Sequence, residues 1–83
     1  MSSGRYSVPM KLSNQLKLAR IKNGDLTQQQ LADLVRCSRQ TINSIEKCKF
    51  NPSIELVLRL ANVLNTSVED LFKLDFDDLP NKE

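Results

Sequence analysis

Residues 28–45, QQQLADLVRCSRQTINSI, decide how the rest of this 83-residue chain is read. Thr27 precedes them with a hydroxyl that accepts from the free amides of a helix start, and Gln30 stands where its side chain reaches back to complete a capping box. Leu31, Ala32, Leu34 and Val35 then recur on one helical face, and small Ala32 leaves room for another helix to cross closely. Ser38 is a second cap, opening a helix over residues 39–47. Only Arg36 and Cys37 separate that cap from the first helix. So short a link cannot return the chain antiparallel, and the spacing predicts two helices meeting at a sharp corner.

The second helix divides into faces. At about 100° of rotation per residue, Ile42 and Ile45 define an inward direction. Gln40, Ser44 and Lys47 lie nearly opposite, with Asn43 beside them. This outward face is polar and almost free of carboxylates. Glutamine and asparagine pair a donor with an acceptor as an adenine edge requires, and Arg39 in the first turn has the fork that suits guanine or a phosphate. The same residues would also make an ordinary solvated surface. Composition alone leaves both readings open.

Residues on either side make the pattern specific. Thr27-Gln28, Leu31-Ala32, Ser38-Arg39-Gln40-Thr41-Ile42, Ile45-Glu46, Pro52-Ser53, Leu60-Ala61 and Ser67-Val68-Glu69-Asp70-Leu71 resemble the Cro/CI-type (XRE-like) helix-turn-helix family of prokaryotic regulators, over roughly residues 16–72. The resemblance implies an all-α, five-helix, lambda-repressor-like DNA-binding domain, here residues 12–72 with the recognition helix at about 39–47. It further implies a transcriptional regulator, in most cases a repressor, bound as a homodimer to a palindromic operator in double-stranded DNA. Arg39, Gln40, Asn43 and Ser44 are then the candidates for base edges, and Thr27, Gln28, Thr41, Lys47, Lys49 and Asn51 those for phosphates. Arg20 in the family position would face Glu46 as a structural ion pair. Two residues depart from the family pattern: Arg36 occupies a turn position that is commonly Gly, and Cys48 one that is often Gly or Asn. A left-handed backbone there costs a non-Gly residue on the order of 1 kcal/mol. One extra residue, relative to shorter members, falls near Asn23-Gly24-Asp25 in a surface turn.

Outside this unit the chain predicts a first helix over residues 13–23, with Ser13 as cap and Leu16, Ala19 or Arg20, and the stem of Lys22 around the seam. Gly24 ends it. Asn51-Pro52-Ser53 forms a loop and cap for a helix over residues 54–64. Its polar residues Glu55, Arg59 and Asn62 make a single stripe, so most of its circumference is apolar and two covered sides are expected. A partner subunit covers the second side in one reading, through Leu56, Leu60, Val63 and Leu64; an end of the chain covers it in the other. Thr66 or Ser67 caps a last helix over residues 68–72. Phe72, Leu74 and Phe76 alternate with Lys73, Asp75 and Asp77, and Tyr6, Val8, Met10 and Leu12 alternate likewise, the period of strands. A small antiparallel sheet would join them, within one chain or between two. Phe72, Leu74 and Phe76 extend the candidate dimer face, and Pro9 confines its segment to an edge. Residues 1–11 are thus an N-terminal arm or edge strand, and residues 73–83 a C-terminal strand and acidic tail. Disorder is the competing reading for residues 1–9, and Met10-Lys11 offers an alternative chain start.

Net charge is only +2, but it is unevenly distributed. Residues 1–65 hold ten Lys or Arg against four Asp or Glu, and residues 66–83 hold two against six. Such an asymmetry leaves a basic body to attract a polyanion and holds the tail away from it. No apolar run approaches the ~20 residues of a membrane span, and no secretion signal is evident, so a cytoplasmic protein is expected. With two cysteines and no histidine, a zinc site lacks ligands. Cys37 and Cys48 flank the recognition helix, which holds them roughly 16 Å apart. Bridged Cα atoms lie within about 7 Å, so an intramolecular disulfide would need that helix to unwind. Catalysis is not expected, since there is no histidine, no glycine-rich phosphate loop and no paired carboxylates near a nucleophile. No cofactor, metal or small-molecule ligand is implied. The rival function is a protein-interaction module, antitoxin-like or a co-regulator, that docks a partner with the same helices.

Overall fold

Hydroxyl caps set where the helices begin. The computed structural model describes the backbone of residues 10–76 and the side chains of residues 12–74. In it Thr27, Ser38, Ser53 and Ser67 each accept from the amide three residues on, opening α2 (Gln28–Val35), α3 (Arg39–Glu46), α4 (Ile54–Val63) and α5 (Val68–Leu71). Each such cap stabilises by about 1 kcal/mol. At α2 the capping box is complete, because the Thr27 amide also donates to Gln30 Oε1 at 2.8 Å. Glu69 and Asp70 sit in the first turn of α5, where the helix dipole favours them.

The first helix, α1 (Leu16–Lys22), starts three residues later than its sequence suggests. Ser13 is not its cap but a member of β1 (Met10–Asn14), opposite Lys73 of β2 (Phe72–Phe76). Strand pairing keeps the backbone extended through Asn14 and overrides the capping preference of Ser13. Gln15 is the N-cap and makes no side-chain capping bond, and Asn14 Oδ1, one residue before it, accepts from the Leu16 amide at 3.1 Å. Lys22 is exposed and lends no stem to the seam.

The two strands pair antiparallel within the chain, with Met10 opposite Phe76, Leu12 opposite Leu74 and Asn14 opposite Phe72. The alternations read from the two segments therefore fall in register. Tyr6, Val8, Pro9 and Asp77 lie outside the described residues. Among those described, no helix is long and apolar enough to cross a membrane.

A buried cluster joins the elements: Leu16 of α1, Leu31, Ala32 and Val35 of α2, Ile42 and Ile45 of α3, Leu56, Leu60 and Ala61 of α4, then Leu64 and Leu71. This corrects one expectation. Leu56, Leu60 and Leu64, assigned to a subunit face, are 8%, 0% and 2% exposed and close the core of the chain itself. They cannot lie at a rigid interface between subunits. The apolar excess of α4 instead appears on its open side, where Ile54 and Leu58 are 78% and 56% exposed.

Three helices end in the same way. Arg36, Cys48 and Asn65 adopt left-handed conformations, with φ of 63°, 60° and 55°. After each, the next amide turns back into its helix: Cys37 to the Ala32 carbonyl, Lys49 to Ser44 and Thr66 to Ala61, at 3.0, 2.9 and 3.0 Å. The extra residue after α1 lies in a turn where Gly24 and Asp25 also have positive φ, 93° and 54°. Arg36→Gly should stabilise the domain by about 1 kcal/mol, because glycine adopts this backbone without the Cβ penalty. Urea unfolding of the free protein measures it, and an unchanged or lower midpoint would contradict the assignment.

Candidate nucleic-acid interface

Ile42 and Ile45 anchor α3 from below, at 0% and 1% exposed. Its opposite side is thereby turned to solvent. Arg39 and Gln40 are exposed there, and Thr41, Asn43 and Ser44 are half-buried. Lys47, Lys49 and Asn51 are exposed where the helix ends and the following loop begins. Glu46 is the only carboxylate in α3, and it points inward.

Arg20 holds that carboxylate. Its Nε and Nη2 donate to the two oxygens of Glu46 at 2.8 and 3.1 Å, and its Nη1 donates to the Leu26 carbonyl at 2.7 Å. The paired side chains are only 11% and 7% exposed. The ion pair anticipated from the sequence is present, and it removes the one negative group from the outward face of α3.

Gln28 extends this network to the surface. Its Nε2 donates to Glu46 Oε1 at 3.0 Å and to Asn43 Oδ1 at 3.2 Å, which fixes the amide so that its oxygen faces Arg39. Arg39 Nη1 donates to that oxygen at 3.4 Å. Three of the candidate contact residues, Gln28, Arg39 and Asn43, are therefore brought together and pre-oriented. Thr27 and Thr41 are not part of this network, and their hydroxyls bond elsewhere within the chain. Thr27 Oγ1 accepts the Gln30 amide, and Thr41 Oγ1 bonds Ser38 Oγ at 2.9 Å.

The far end of α3 is tied to the terminal sheet. Asn14 Nδ2 donates to the Ile45 carbonyl at 2.9 Å. Neither this link nor the position of Phe50 beside Gln40 and Ser44 was read from the sequence. Both depend on contacts made by residues far from the motif or just past its end, and neither leaves a periodic signal.

The residues assigned to a dimer face divide. Beyond the three buried leucines, Val63 and Phe72 are half-buried against the core, and Leu74 is 55% exposed. The Phe76 side chain lies outside those described.

The two cysteines are free. Burial pushes the Cys37 thiol up from its ordinary value, and the nearby Arg59 guanidinium only partly opposes the shift. Cys48 is exposed.

A family model described as helix-turn-helix matches residues 16–71, the span from the first to the last core residue. The chain is similar to an uncharacterized HTH-type transcriptional regulator of Methanocaldococcus jannaschii, 39% identical over 67 residues, which cover 81% of this chain and 100% of that one. A counterpart from Archaeoglobus fulgidus is 41% identical over 58 residues, covering 70% and 82% of the two chains. Among solved structures, a restriction-modification controller protein from Aeromonas hydrophila superposes with a TM-score of 0.61 at 29% identity, covering 66% of this chain and 82% of that one.

Two outcomes are expected from this geometry. Glu46→Ala leaves Arg20 buried without its partner and should destabilise the domain by roughly 3–5 kcal/mol in urea unfolding. A loss below about 1 kcal/mol would assign the pair to solvent. Under limiting iodoacetamide, mass spectrometry should find Cys48 alkylated before Cys37, since reaction needs an accessible thiolate and Cys37 has a raised pKa.

Proposed function

We propose that this chain, which belongs to the helix-turn-helix (XRE-like) family of transcriptional regulators and is thus a DNA-binding regulator and not an enzyme, is a repressor that binds a palindromic operator as a homodimer. The observation that carries this reading is the outward side of α3, polar, anchored from below and stripped of its only carboxylate. In a major groove, Arg39, Gln40, Asn43 and Ser44 meet base edges. Gln28, at the start of α2, sets the register against phosphates together with Thr27, Thr41, Lys47, Lys49 and Asn51. Each good bidentate base contact contributes about 1–3 kcal/mol of discrimination.

The two subunits meet through apolar surface that the fold leaves open: exposed Leu74 of β2, with half-buried Val63 and Phe72. A two-fold dimer sets its recognition helices about 34 Å apart, one turn of B-DNA.

Selection of bound sites from random DNA should return two symmetric half-sites at that spacing. A motif without symmetry would overturn the dimer, and recovery of no motif would overturn the reading of α3. On the selected site, Gln40→Ala should relax preference at one base pair per half-site. Lys49→Ala should weaken all sequences alike and lower the salt slope by about one per half-site. Leu74→Asp should shift sedimentation toward the monomer. A reporter carrying the site beside its promoter should lose transcription when the protein is expressed, and a gain would reverse the assigned sign.

A further inference from the structure

Nothing in the sequence pattern assigns Phe50 a role, yet the fold sets it against the reading face. The cause is the way α3 ends. Cys48 turns left-handed, its amide donates to the Ile45 carbonyl at 2.9 Å, and the Lys49 amide donates to Ser44 at 2.9 Å. The chain is thereby folded back against the last turn. Phe50 follows at once, 47% exposed and outside the core cluster. With Ser38, Gln40, Thr41 and Ser44 it lines a shallow surface depression.

The lining defines what fits. None of the five residues carries a charge. Ser38 Oγ and Thr41 Oγ1 bond each other at 2.9 Å, and Ser38 Oγ also accepts the Thr41 amide at 3.1 Å. That pair uses one of its two hydroxyl hydrogens, and the Ser44 hydroxyl adds a further polar group to the rim. Beside these groups lies the apolar ring surface of Phe50, next to the amide of Gln40. A half-exposed phenylalanine on a polar face is costly to leave in water, and it suits a small apolar group presented beside a hydrogen-bonding edge. In the major groove of unmodified DNA one base presents such a group, the C5-methyl of thymine.

We propose that this depression receives a thymine methyl group and that Phe50 is a specificity-determining residue acting beside Gln40. The inference rests on the reading of α3 as the groove-facing helix. It adds an apolar contact to a face otherwise read only through hydrogen bonds, and it places that contact on the loop after the recognition helix.

The test replaces thymines of the selected site, one at a time, by deoxyuridine, which keeps the hydrogen-bonding edge and lacks the methyl. Loss of one buried methyl corresponds to roughly a fourfold loss of affinity. The full chain should show that loss at one thymine in each half-site, next to or within the base pair sensitive to Gln40→Ala, and no loss at the others. Phe50→Ala should bind the thymine site more weakly and no longer distinguish it from the deoxyuridine site, whereas Phe50→Leu should retain part of the discrimination. The inference is overturned if no thymine is sensitive, if Phe50→Ala keeps the same sensitivity, or if Phe50→Ala weakens all sites equally as a sugar or phosphate contact would. Selection of no DNA at all would instead overturn the parent reading, and this inference with it. Thermal melting of Phe50→Ala checks the fold, and the deoxyuridine series on the unaltered protein stands without any variant.

Discussion

Arg20 donates through two guanidinium nitrogens to Glu46 and through the third to the Leu26 carbonyl, and Glu46 accepts in addition from Gln28. α1, the loop after it, α2 and α3 thus meet at one carboxylate. Apolar packing is tolerant of small rotations, since hydrophobic attraction has little direction. A two-pronged pairing between planar groups is not tolerant in this way. It fixes the roll of α3 about its own axis, and that roll decides which side chains face outward. Through Gln28 the same carboxylate reaches Arg39, so scaffold and surface share one hydrogen-bonded chain.

The second constraint is backbone conformation at the helix ends. Arg36 and Cys48 hold left-handed positions that glycine would occupy at less cost, and Asn65 holds a third that asparagine tolerates well. The bend at Arg36 sets the angle between α2 and α3. The bend at Cys48 brings the following loop under the last turn of α3. Both strained residues bracket the recognition helix, and the surrounding contacts must over-determine the backbone there.

Most of the helical order was legible in the sequence because it is local. Thr27, Ser38 and Ser53 cap where their positions indicate, and apolar spacing identifies Ile42 and Ile45 as the inward pair. Where reading failed, a nonlocal partner had intervened. Ser13 has the chemistry of a cap, but pairing with Lys73 draws it into a strand. The apolar circumference of α4 suggested two covered sides, and the pattern could not say which leucines the chain itself would cover. Leu56, Leu60 and Leu64 proved interior, while Ile54 and Leu58 stayed open. Around α3 the outward residues were legible from the helical period. Phe50 was not, because its placement follows from a left-handed turn and a carbonyl at Ser44.

The hydrogen bond from Asn14 to the Ile45 carbonyl links the recognition helix to the two ends of the domain. The helices between Leu16 and Leu71 assemble through short and moderate loops, whereas the sheet must bring residues from opposite ends of the domain together. Closing so long a loop carries the largest chain-entropy cost in the fold and is compensated only once the helices provide a surface. The sheet is therefore the part of the fold that depends most on the helices being in place. Asn14 thus carries two supports out of the terminal sheet, one to the Leu16 amide at the start of α1 and one to the Ile45 carbonyl near the end of α3, so the two ends of the domain bear on the seating of the recognition helix.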